Sequence, residues 1–196
     1  MQPSRTLAPV SCARHRLAGL ALLLGVAGIG RATLVVAYDP SFLPRAMGVA
    51  SLKLEGGEYL GKKGAVLQAS FFDCGPAALA TLLRLLGYAP PGVDSVAKLA
   101  GTVPRGTSLG DLARAAGALG LHLEARRFAR PVARDADLPL IAWTGRKHFV
   151  VVAARSPLGV LTILDPQLGR YRLAEGAFAR HWSGEALVVV RDQNTQ

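Results

Sequence analysis

Cysteine is scarce: the 196 residues hold two, Cys12 and Cys74. Cys12 lies ahead of the longest apolar run, so the folded part keeps a single thiol and cannot be stapled by an internal disulfide. Charge is also sparse at 18%, against 51% apolar types, a balance that excludes a disordered chain. Acidic residues are missing altogether from the first 37 positions. No phosphate-binding loop of the GxxxxGK[ST] kind occurs, so a bound nucleotide is not expected. Basic side chains outnumber acidic ones, 23 to 13, for a net charge of +10. The excess is scattered, and its tightest pieces are Lys62-Lys63, Arg126-Arg127 with Arg130, and Arg146-Lys147. None is interleaved with aromatics as a groove for single strands requires, so nucleic acid is not an expected partner. Weak attraction to an anionic membrane or an acidic peptide remains compatible with the charge.

What is present begins with a targeting pattern. Arg5, Arg14, His15 and Arg16 precede LAGLALLLGVAGIG (17–30), the order of a secretory signal. ATLVVA follows Arg31, with Val35 and Ala37 small enough for the −3 and −1 positions of a cleavage site that would leave Tyr38 as the new N-terminus. The alternative is a retained anchor, since 17–37 is long enough to span a bilayer and Arg31 can snorkel. Either way the positive charge ahead of the run places the folded domain outside the cytoplasm, periplasmic or facing outward from the membrane. A lone thiol in such a compartment is open to oxidation, and its presence there points to use.

The rest divides by period. Residues 38–53 read as an extended arm, and 54–67 as a possible hairpin around Gly56-Gly57 and Gly61. Together 38–64 form a lead-in. A helix starts at Cys74, carries Pro76 in its first turn, runs Ala-Leu-rich over 77–86 and stops at Gly87. Shorter helices are expected over 95–100 and 109–119, the second capped by Ser108 with Asp111 three residues on. The period then changes, and strands are expected over 121–128, 138–144, 148–154, 160–165, 169–173 and 186–191, with a short helix near 174–181. Helices first and an antiparallel sheet second define an α+β domain over 65–191, followed by a frayed polar tail, 192–196.

Cys74 is the sharpest chemical feature. Free N–H groups and the helix field at a helix start favour a thiolate, and small neighbours leave the sulfur approachable. On local physics alone, a small buried hydrophobe is an equal alternative. A nucleophile needs a base. His122 and His181 read as surface residues, whereas His148 opens a long apolar strand whose backbone can aim the ring. Asp165 ends the next strand, so a hairpin of 148–154 and 160–165 brings the two together. Its carboxylate can accept Nδ1–H, leaving Nε2 for the thiol. Gln68, six residues ahead of Cys74, can offer an uncharged donor to an oxyanion beside the Cys74 N–H. Cys74, His148 and His122 lack metal-ligand spacing.

QASFFDCGPAALATLLRLLGY (68–88), TSLGDLARAAGALGL (107–121), KHFVVV (147–152) and LDP (164–166) together resemble the C39 peptidases, the bacteriocin-processing branch of the papain-like cysteine peptidases. The similarity covers roughly 65–190. It implies a papain-like fold with N-terminal helices packed on a C-terminal antiparallel sheet. It also implies a cysteine endopeptidase with Cys74 as nucleophile, His148 as base, Asp165 as orienting acid and Gln68 as oxyanion donor. No metal or organic cofactor is implied. The expected partners are a peptide or protein substrate, cut after small residues such as Gly-Gly in the family, and an export system or membrane. The same scaffold is compatible with an acyl-thioester transferase or amidase, or with a non-catalytic peptide-binding module.

Overall fold

A computed structural model describes residues 42–128, 137–145 and 147–190. The signal or anchor expected over 1–37 and the tail 192–196 lie outside these residues. Two compact units divide at Leu43/Pro44, and the description that follows concerns the second, Pro44 onward. Among the described residues, no helix is long and apolar enough to cross a membrane.

The helices come first: α1 (Phe42–Leu54), α2 (Cys74–Leu85), α3 (Val93–Leu99) and α4 (Leu109–Ala118). A single antiparallel sheet holds β1 (Glu58–Tyr59), β2 (Leu123–Arg127), β3 (Leu140–Thr144), β4 (His148–Arg155), β5 (Val160–Asp165), β6 (Gly169–Ala174) and β7 (Trp182–Val189). It is ordered β1-β6-β5-β4-β3-β7-β2. The short α5 (Glu175–Ala179) joins β6 to β7. The expected α+β architecture is the one observed.

Alternation along the strands builds two cores. Ile141, Phe149, Val151, Leu164 and Leu187 face α2, α3 and α4, where Leu79, Leu82, Leu83, Val96 and Leu112 are fully buried. Their sequence neighbours Leu140, Ala142, Val150, Val152, Ile163 and Val188 face the other way, onto Leu52 of α1 and Phe178 of α5. Each buried leucine contributes about 1.5–3 kcal/mol, so both layers hold the sheet. This is why HFVVV reads as a continuous apolar run: its odd and even positions are buried on opposite faces.

Helix ends follow the residues that permit them. Gly87 at φ 84 ends α2, with Tyr88 N–H donating to the Leu83 carbonyl and Gly87 N–H to the Arg84 carbonyl. That pairing is the glycine-closed helix end the sequence suggests. At α4 the Ser108 hydroxyl accepts the Asp111 N–H at 3.1 Å.

The lead-in departs from expectation. Residues 42–54 are helical, not an extended arm, because Pro44 sits in the first turn, where a missing N–H costs nothing. No hairpin forms over 54–67. β1 pairs instead with β6, Glu58 opposite Arg172 and Tyr59 opposite Tyr171, and the Val66 N–H is taken by the Thr81 hydroxyl at 2.8 Å.

Candidate active site

α2 begins at Cys74, and the local sequence explains the sulfur's surroundings. Asp73 occupies the position before the helix, yet makes no forward capping bond within the described residues. The third helical residue is Pro76, which has no N–H to cap, and the N–H of the second, Gly75, is directed at the Cys74 sulfur. The carboxylate therefore turns back and accepts the N–H groups of Ala69 at 3.2 Å and Ser70 at 3.0 Å. The loop leading from Gln68 into the helix is fixed by this buried acid. DCG draws attention to the cysteine, and the loop-holding function of Asp73 was missed. The proline three places on was the available signal.

β4 and β5 bring the other two groups in. Thr144 pairs with His148 across a tight turn in which Lys147 adopts φ 56, and the Thr144 hydroxyl donates to the His148 carbonyl at 3.0 Å. Asp165 closes β5 and is buried. Its Oδ1 accepts the N–H of Gln167 at 2.6 Å and of Leu168 at 3.1 Å, and lies 2.9 Å from His148 Nε2. The ring's other nitrogen, Nδ1, is left for the cysteine. This corrects the expected ring orientation: the carboxylate meets Nε2, where Nδ1 was expected. Ring orientation depends on the turn after Asp165, which strand periodicity does not encode.

The His148 imidazole and the N–H groups of Phe149 and Gly75 lie within electrostatic reach of the Cys74 thiol and favour its charged form. Burial opposes a thiolate, but the imidazole's hydrogen bond and charge with these two N–H groups outweigh it, so the thiol lies below its ordinary value of 9.0. At His148 burial likewise opposes charge. Hydrogen bonds to Asp165 and Cys74, with their charges, raise the imidazole to about 10. A thiolate–imidazolium pair is the arrangement these shifts favour.

Gln68 lies on the wall of a cavity of about 530 Å³ that His148, Asp165, Lys147 and Phe71 also line. Its N–H is held by the Pro166 carbonyl at 2.9 Å, and its side-chain Nε2 donates to the Ser70 carbonyl at 2.8 Å. One Nε2 hydrogen is thus committed and one is left over. Oε1 has no hydrogen-bond partner among the described residues. Cys74 is 6% exposed, so a reagent reaches the sulfur through a narrow approach.

The remaining histidines separate. His122 is exposed, as expected. His181 is not a plain surface residue: it is half-buried, lines the same cavity, and places Nε2 2.8 Å from Glu55 Oε2 at the end of α1. Glu55 lies in the stretch read as arm and hairpin, so the pairing was not legible.

A helix-start cysteine facing a histidine–aspartate pair, on helices packed against an antiparallel sheet, defines a domain of the papain-like cysteine peptidase class. Within that class, residues 62–194 match the Peptidase C39 family, and the chain belongs to it. An uncharacterised protein of Methanothermobacter marburgensis is 33% identical over 136 residues, covering 69% of this chain and 94% of that protein. The probable functional amyloid protease FapD of Pseudomonas aeruginosa is 32% identical over 135 residues, covering 64% of this chain and 59% of FapD. Among solved structures, the peptidase domain of Streptococcus ComA, a bi-functional ABC transporter, superposes with TM-score 0.53 at 26% identity, over 65% of this chain and 98% of that one. A double glycine motif protease in complex with its leader peptide shares the fold, with TM-score 0.56 at 21% identity over 68% and 96%.

Proposed function

We propose that the chain is a cysteine endopeptidase acting on a peptide or protein substrate. One observation carries the reading: the His148 ring holds Asp165 through Nε2 at 2.9 Å and acts electrostatically on the Cys74 thiol. A merely structural histidine needs one partner, and this one has two whose chemistry is complementary.

The Cys74 thiolate attacks the scissile carbonyl carbon, and the carbonyl pair moves onto oxygen. The Cys74 N–H and the uncommitted Nε2–H of Gln68 stabilise that oxyanion. As the carbon–nitrogen bond breaks, protonated Nδ1 of His148 delivers its proton to the leaving amine, giving an acyl thioester. A water then loses a proton to Nδ1, attacks the thioester, and expels the thiolate. Asp165 keeps the ring oriented and stabilises its positive charge throughout.

The substrate side rests on the relatives. A lactococcin transport/processing protein and a double glycine motif protease suggest cleavage after small residues such as Gly-Gly, and FapD, a probable functional amyloid protease, suggests a protein substrate. With the apolar run at 17–37, these support action at or beyond the cell envelope, beside an export system.

The test is incubation of the full chain, with a Cys74→Ala control, against a proteome-derived peptide library read by mass spectrometry. New termini after small residues, absent from the control, support the reading. A wild type that binds peptides and cuts none overturns it.

A further inference from the structure

Helix α1 precedes residues 62–194, yet it reaches the site by a short chain of contacts. Gly48 lies so close to the turn after Asp165 that an added Cβ would overlap the Leu168 Cδ2 methyl. One turn earlier in α1, Arg45 Nε donates to the Gln167 carbonyl at 3.2 Å. Gln167 and Leu168 are the residues whose N–H groups hold Asp165 Oδ1, the oxygen that meets His148.

We propose that α1 is a positioning element for the Asp165–His148 pair, with Gly48 and Arg45 as positioning residues acting through the 167–168 turn. The inference rests on the peptidase reading for its catalytic meaning, but not for its geometry. The carboxylate oxygen that orients the ring is aimed by two N–H groups. Those groups stay in place because a helix is docked on their own residues. Gly48 lets the helix backbone approach, and Arg45 fixes the carbonyl of the peptide that presents the Leu168 N–H. A side chain at 48 drives Leu168 outward and carries its N–H off Asp165.

A role in folding alone predicts unimpaired chemistry in Gly48→Ala. Alanine is the better helix former, so Gly48→Ala within α1 stabilises or leaves stability unchanged if Leu168's flexible end simply moves aside. Positioning predicts chemistry impaired out of proportion to any change in melting.

The experiment measures the pH dependence of Cys74 alkylation by iodoacetamide in the full chain, which needs no substrate, alongside kcat and KM on a cleaved peptide. The variants are Gly48→Ala, Gly48→Ala with Leu168→Val, Arg45→Ala and Arg45→Lys, with His148→Ala as the reference for a broken pair. The other titratable groups lining the cavity, Lys147, Glu55, Tyr171 and His181, are retained in all of them. In Gly48→Ala and Arg45→Ala the alkylation midpoint rises by about one pH unit toward the His148→Ala value, roughly a tenfold loss of thiolate stabilisation. In the same two variants kcat falls while KM holds. Leu168→Val returns the midpoint in the Gly48 background, and Arg45→Lys keeps it. Wild-type midpoints in both single variants overturn the proposal, as does a shift in Gly48→Ala that Leu168→Val leaves in place. Should Gly48→Ala fail to fold, the Arg45 pair decides. If no peptide is cut by the wild type while the midpoints move as stated, the peptidase reading fails and the positioning role stands.

Discussion

The proton of His148 decides what this site can do. Cys74→Ser and His148→Ala each lower kcat/KM by about a thousandfold or more, because loss of either member leaves binding and the oxyanion donors alone. Both sit at element ends, so thermal melting is expected to survive in each; near-native cleavage by either variant contradicts the assignment. The pH profile follows from the shifts. Cleavage rises as the thiol ionises below its ordinary 9.0 and falls as the imidazole, raised to about 10, loses the proton it must deliver. Because folded His148 lies above its ordinary 6.5, its contribution to stability is complete below that value and is lost as pH rises through about 10. Iodoacetamide therefore labels Cys74 at a pH where a free thiol is slow, and His148→Ala moves labelling upward. A profile identical in the two proteins contradicts the ion pair.

At the scale of elements, the start of α2 concentrates the strain of assembling the site. A Cβ on Gly75 would lie 3.1 Å from Leu112 Cδ1 and 3.3 Å from Phe149 Cδ2, so α2 packs tightly on α4 and β4 there. Gly75→Ala is expected to cost about 1–3 kcal/mol as these neighbours give way, and to lower kcat because Phe149 N–H contacts the sulfur. Unfolding by urea, with a peptide assay, measures both. Asp73→Ala strands the Ala69 and Ser70 N–H groups at about 1–3 kcal/mol and loosens Gln68. Asp73→Asn keeps an acceptor and loses less; equal losses in the two show that the loop is held by something else. These elements also show what a sequence can carry. β4, β5 and α2 were legible because their burial is periodic, and Cys74, His148 and Asp165 were legible because chemistry restricts their types. α1 was not, since 38–53 reads as an extended arm and Pro44 suits a helix only once the helix start is known. The ring's tautomer was not either, because it depends on two N–H groups in a turn that no periodicity marks.

Across the whole molecule, the sheet separates two cores, and the site joins them at one end: Cys74 comes from the helical side, while His148 and Asp165 come from the strands. A chain built this way in an oxidising compartment faces one chemical hazard. Its lowered thiol is the more oxidisable form. Burial is its defence, since 6% exposure admits small oxidants slowly and large disulfide partners poorly. Two results are then expected from protein recovered from the cell envelope. Its N-terminus is Tyr38 if the apolar run is cut after Ala37, or the intact chain resists alkaline washing of the membrane if the run is kept. In both cases peptidase activity increases when a small thiol reductant is added, and a maleimide too bulky for the approach labels Cys74 more slowly than iodoacetamide does. Intact chain found free in the cytosol, with activity indifferent to reductant, contradicts the exported site.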